Sequence, residues 1–193
     1  MLLVLVAALI VPIVGFPLTL VRVGYIDLEL IIQTYTTRYL ETEIQARNEF
    51  ITTLQGQYSS GYFDLTERER FEIQLKIDDQ REVIDMLHYN LFLWENSGEM
   101  KDDLIYQILQ RDIMAAIQKT SEIEGFSLIL DNTGNFIYGS DDVNLIDKVL
   151  FRLDERLLDI QENEPKAPLS LELEEEELIE TSPNISIPAE DNN

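Results

Sequence analysis

The chain has 193 residues, no cysteine, and 37 acidic side chains against 14 basic ones, for a formal charge of -23. This balance disfavours sequence-independent attraction to nucleic-acid backbones and anionic lipid surfaces, and the lack of cysteine excludes disulfides and thiolate metal sites. With only 8 Gly and 6 Pro, the long periodic tracts point to extended helices in one domain, whose core depends on neighbouring subunits.

Residues 1–19 carry no charge, and Leu2 to Val14 is an apolar run broken by Pro12, short for a membrane span. It is expected to be a signal peptide, with an uncleaved N-terminal anchor as the alternative, and the folded part is expected outside the cytoplasm. Val21, Val23 and Tyr25 then alternate with Arg22 and Gly24 up to Ile26, the period of a strand. Asp27 stands where a helix N-cap belongs.

From Leu28 to about Tyr58 the spacing becomes helical. Leu30, Leu40, Ile44, Ile51, Leu54 and Tyr58 keep one register, with Gln33, Thr37 and Arg47 in places of the same seam. Ser59, Ser60, Gly61 and Asp64 reverse the chain, and Asp64 or Thr66 starts a return helix. Ile73, Ile77, Ile84, Leu87, Leu91 and Trp94 continue the seam, and Leu104, Ile105, Ile108, Ile113 and Ile117 carry it home along the first helix. Phe71, Ile73, Leu75 and Ile77 alternate as a strand would, but their helix-forming neighbours favour helix. Asn96, Ser97 and Gly98 form poor helix, so a kink or hinge is expected there, with Gly98 as the hinge.

Gly125 caps the return helix after Glu124. Phe126 to Leu130, a turn at Asp131 to Asn135, and Phe136 to Tyr138 read as a β-hairpin. Ser140 or Asp141 caps a final helix with Leu145, Ile146, Val149, Leu150, Leu153 and Leu157 on its apolar face. Beyond Gln161, ten acids against Lys166 leave a tail at -9, expected to be disordered, with its leucines as an alternative docking segment.

The predicted fold is therefore α+β. A long antiparallel helical hairpin, 28–124 with its tip near 58–65, projects from a small body made of residues 20–27 and 125–160, and an acidic tail covers 161–193.

The two ends of this arrangement resemble the Skp/OmpH-like family of periplasmic chaperones. The resemblance rests on VGYIDLELI at the opening and EGFSLILDNTGNFIYGSDDVNLIDKVL at the close, where Gly125, Phe126, Leu128, Leu130, Asp131, Phe136, Tyr138, Ser140, Asp142, Leu145 and Val149 fill the family's pattern. It implies a periplasmic homotrimer whose short strands make a shared body, through Val23, Tyr25, Leu128, Leu130 and Ile137 here. It also implies arms enclosing a cavity that holds unfolded outer-membrane proteins without nucleotide. Met86, Trp94 and Met100 are adaptable apolar types suited to contacting such clients. One departure is electrostatic: well-known members are basic, whereas residues 28–124 carry nineteen acids against nine bases, or -10. Strong binding to anionic membranes is therefore not expected.

No cofactor, metal or catalytic set is read from the residues. His88 is the single histidine, and Asp131, Asn132 and Asn135 lack the spacing of a calcium loop. Pairs such as Asp78-Asp79 and Asp102-Asp103 follow from acidic composition. The competing reading is an extracytoplasmic coiled-coil scaffold, tethered by an uncleaved N-terminus.

Overall fold

The computed structural model describes residues 21–61, 64–131, 141–165 and 169. Among them are two strands, β1 (Val23–Ile26) and β2 (Leu128–Asp131), and four helices, α1 (Leu28–Ser60), α2 (Glu67–Ser97), α3 (Asp103–Glu124) and α4 (Ile146–Glu162). The fold is mostly helical with one small sheet.

The helix starts follow local chemistry. Asp27 is the N-cap of α1, its carboxylate accepting from the Leu30 amide at 2.9 Å. At α2 the starting residue is Thr66 rather than Asp64. Thr66 and Glu69 form a reciprocal capping box, and the bonds that the Glu69 carboxylate accepts from the Thr66 hydroxyl and the Thr66 amide hold it below its ordinary pKa.

α1 spans 33 residues, ~50 Å of helix, and α2 packs along it after the turn that begins at Gly61. The alternating stretch in α2 is helical, and its alternation has a simple reading. Ile73 and Ile77 face the core, whereas Phe71 and Leu75, also four residues apart, point away and stay exposed.

The return limb is interrupted rather than kinked. α2 stops at Ser97, Gly98 takes a left-handed conformation (φ 67) as its C-cap, and α3 starts again behind Asp102, whose carboxylate accepts from the Ile105 amide. The intervening chain doubles back, because the Asn90 Oδ1 accepts from the backbone amides of both Lys101 and Asp102 at 3.2 Å. An added Cβ at Gly98 would meet open space, so the constraint there is backbone conformation alone. Gly98→Ala is expected to lower stability by about 1 kcal/mol, read as the shift of a urea midpoint. An unchanged midpoint would mean that the turn re-forms in another geometry.

This break changes what α3 packs against. Ile105, Ile108, Leu109, Ile113 and Ala116 are buried, as a helical face requires, but α3 meets α4 far more extensively than it meets α1. The expected seam carrying home along α1 is replaced by a layer in which α4 packs on both α1 and α3. The first half of α1 is consequently covered on a wider arc than one stripe. Ile31, Tyr35, Thr36, Tyr39 and Glu43 are buried there, whereas Leu30, placed in the seam by its spacing, is exposed.

β1 and β2 pair in parallel, Val23 opposite Leu128 and Tyr25 opposite Leu130. The expected turn residue Asp131 instead ends β2, and its Oδ1 accepts from the Leu28 amide at 3.0 Å, tying the sheet to the start of α1. The second strand of the expected hairpin, 136–138, and Ile137 within it lie outside the described residues. So does Ser140. Asp141 opens a single turn of tighter 3-10 helix (Asp141–Val143), and α4 starts only after Leu145, which makes no side-chain cap bond. The Leu145 amide donates to Tyr25 O at 3.0 Å, so tertiary hydrogen bonding sets this boundary. Inside the sheet, Gly24 leaves room for Leu145: a Cβ at Gly24 would stand 2.7 Å from Leu145 Cδ1.

Candidate functional site

Two apolar surfaces and one buried polar cluster stand out. The first surface is the outer face of the sheet. Alternation along a strand sends Gly24 and Ile26 inward, while Val23, Leu128 and Leu130 face out and are exposed, with Tyr25 half-buried between them. Val21 extends the same face and is also exposed. All four described residues expected to mediate oligomerisation thus share one side of the sheet. An exposed two-stranded sheet with an apolar face is marginal by itself.

The second surface lies where α2 ends against the start of α1. Trp94 and Met100, both proposed for client contact, line a cavity of about 210 Å³ with Leu28, Ile32, Tyr106 and Met114. Tyr106 and Met114 are more than half exposed, so the wall is open to solvent. Met86 is elsewhere: it sits on the flank of α2, partly buried against the core. Gly98 lines a neighbouring opening with Trp94, Asn96 and Asp131.

The polar cluster was not foreseen. Tyr35, Tyr39, Glu43 and Arg47 follow one another at four-residue steps on α1 and are all buried, Arg47 to 1% exposure. Arg47 Nε donates to Glu43 Oε2 at 3.0 Å and its NH1 to Gln80 Oε1 of α2 at 2.6 Å. Tyr39 Oη reaches Glu43 Oε1 at 3.4 Å, and Tyr35 Oη donates to Asp112 Oδ2 of α3 at 3.1 Å. Arg111 and Arg156 flank the same Asp112, at 3.1 and 3.6 Å. Burial pushes both phenols well above the usual tyrosine range, helped at Tyr35 by the Asp112 charge and at Tyr39 by that of Glu43. They therefore remain neutral donors.

This cluster joins α1 to α2, α3 and α4 and so braces the packing of all four helices. Its signal was present in the four-residue spacing of Tyr35, Tyr39, Glu43 and Arg47, but polar residues in a wet seam and polar residues in a second buried face look alike in one dimension. Pro165 and Leu169, beyond α4, also lie against it. Gln80 Nε2 donates to Pro165 O at 3.5 Å, and Leu169 packs against the core beside Tyr39 and Arg47. Leu169 accordingly behaves as a docked residue at the start of the acidic tail.

His88 is exposed, and no group of three His, Cys, Asp or Glu side chains able to hold a metal occurs among the described residues. No helix among them is long and apolar enough to cross a membrane. Compared with known proteins, the chain matches no protein-family model and no curated protein.

Proposed function

We propose that this chain is an ATP-independent holdase of the Skp/OmpH-like kind, acting in the periplasm on unfolded outer-membrane or envelope proteins. In this reading α1 and α2 make an antiparallel arm, and the outer sheet faces of three copies join in a central body. The observation that carries the reading is surplus apolar surface. The inner side of α2 is already filled, with Ile77, Ile84 and Leu87 buried against α1, yet Phe71, Leu75, Tyr89 and Phe92 remain exposed on the same helix. Large exposed apolar patches on an otherwise packed protein mark contact surfaces, and a chaperone needs such a surface to be usable by many sequences. The open cavity around Trp94 and Met100 supplies a further adaptable contact.

The test is whether the purified full chain, without nucleotide, suppresses aggregation of an outer-membrane β-barrel diluted from denaturant. Suppression at stoichiometric trimer is expected. Its absence at molar excess, with a folded helical spectrum, would reject the holdase and favour an extracytoplasmic scaffold.

A further inference from the structure

We infer that the outer face of α2 is a docking surface for client segments that mix apolar and cationic side chains. This names the substrate class of the holdase and rests on that reading. The face is defined by helical spacing: positions 71, 75, 78, 82 and 89 fall in one stripe opposite the buried side, with half-buried Met86 and Leu93 along its edge, ~33 Å from 71 to 93. Phe71 and Leu75, 68% and 51% exposed, form a distal apolar block, and Tyr89, 50% exposed, forms a proximal one with Met86 and Leu93 on its flank.

Between the blocks the stripe is acidic. Asp78 is shared by Arg81 and Gln74, whereas Glu82 and, beside the stripe, Asp85 are exposed and make no ion pair among the described residues. An intrachain cation already settles at the proximal end. The Lys101 ammonium donates to the Tyr89 hydroxyl at 3.2 Å, so a positive charge is held at the polar tip of this aromatic.

Charge selects the occupant. A second copy would bring the same acidic stripe, and the chain's own tail, at -9 beyond Gln161, is repelled by it. A foreign segment with large apolar residues on either side of a short run of Lys or Arg satisfies both features. Its apolar side chains cover Phe71 and Leu75 while its cations reach Glu82 and Asp85. Such pairing at a wet surface contributes selection and encounter rate more than raw affinity.

The experiment is calorimetric titration of the full chain with two synthetic peptides of identical Phe and Leu content, one carrying a central run of Lys and one the same run of Glu. The Lys peptide is expected to bind about tenfold more tightly at low salt, the difference shrinking as salt rises. Glu82→Lys with Asp85→Lys should abolish that preference, and Phe71→Ser with Leu75→Ser should weaken both peptides. All four side chains are exposed, so an unchanged circular dichroism melt serves as the folding control. Equal binding of the two peptides, or no binding of the Lys peptide, with aggregation suppression intact overturns charge selection and leaves the holdase standing. A preference that survives the double reversal overturns the location. Loss of both peptide binding and suppression removes the holdase reading along with it.

Discussion

Arg47→Ala is expected to destabilise the protein by about 3–5 kcal/mol, because it leaves a buried carboxylate without its cation. Among the described residues Glu43 would keep only the long bond from Tyr39 Oη, and Gln80 Oε1 would lose a donor at 2.6 Å. The effect should not stay local. Gln80 also bonds the Pro165 carbonyl, so its reorientation would loosen Pro165 and the packing of Leu169 beside the cluster. Urea unfolding at one fixed protein concentration measures the loss, and protection of the segment after α4 in hydrogen exchange reads the spread. Replacing both partners, Glu43→Leu with Arg47→Met, should recover most of the stability, since the desolvation cost leaves with the charges. A single-variant loss below about 1 kcal/mol would mean that water reaches the pair and that it acts as a surface salt bridge.

Leu145→Ala should cost about 2–5 kcal/mol, as expected for a fully buried leucine whose surroundings cannot collapse freely. The side chain fills the space that Gly24 leaves open, and the backbone of the same residue donates to Tyr25. Leu145 therefore joins the inner side of the sheet to the start of α4. Gly24→Ala is predicted to be unfavourable for the complementary reason, with the new methyl placed against Leu145 Cδ1. The two changes should compensate in part, so the double variant should be more stable than the sum of the single losses. Strict additivity would place the strain at Phe126, the other side chain near that position. If the outer sheet face joins three copies, the Leu145 variant should also dissociate more readily on light scattering, because the strands that present Val23, Leu128 and Leu130 lose their backing.

How much of this was legible before folding differs from element to element. The caps were. Asp27, Thr66 and Gly125 act on amides and carbonyls within a few residues of themselves, so their roles are local and readable. The outer face of the sheet was also legible, because alternation alone separates Val23 and Tyr25 from Gly24 and Ile26. By contrast, one missed signal misled the reading of the return limb. Asn96, Ser97 and Gly98 announced a weak helix, but whether the chain bends through such a stretch or reverses depends on a partner. Asn90, seven residues before the end of α2, collects the two amides that make the chain double back.

The burial of Arg47 and Glu43 was illegible for a related reason. Periodicity marks which residues share a face but not how many faces are covered, and α1 is covered by a second layer because α4 packs on it as well as α2. Tertiary contact also decides where α4 begins, since Leu145 is held by Tyr25 rather than by a cap of its own.

The amino-acid order thus suffices for the helical faces, the caps at Asp27, Thr66 and Gly125 and the outward side of β1, all properties carried by neighbours within a turn or two, and for the acidic charge. Tertiary contact alone decides that the sheet pairs in parallel, that the return limb is two helices, and that a polar ladder is core rather than surface. These depend on hydrogen bonds and packing between residues 12 to 103 positions apart, from Asn90 with Asp102 at the near end to Leu28 with Asp131 at the far one. Loop closure between such distant positions is set by the whole fold, and no local pattern encodes it.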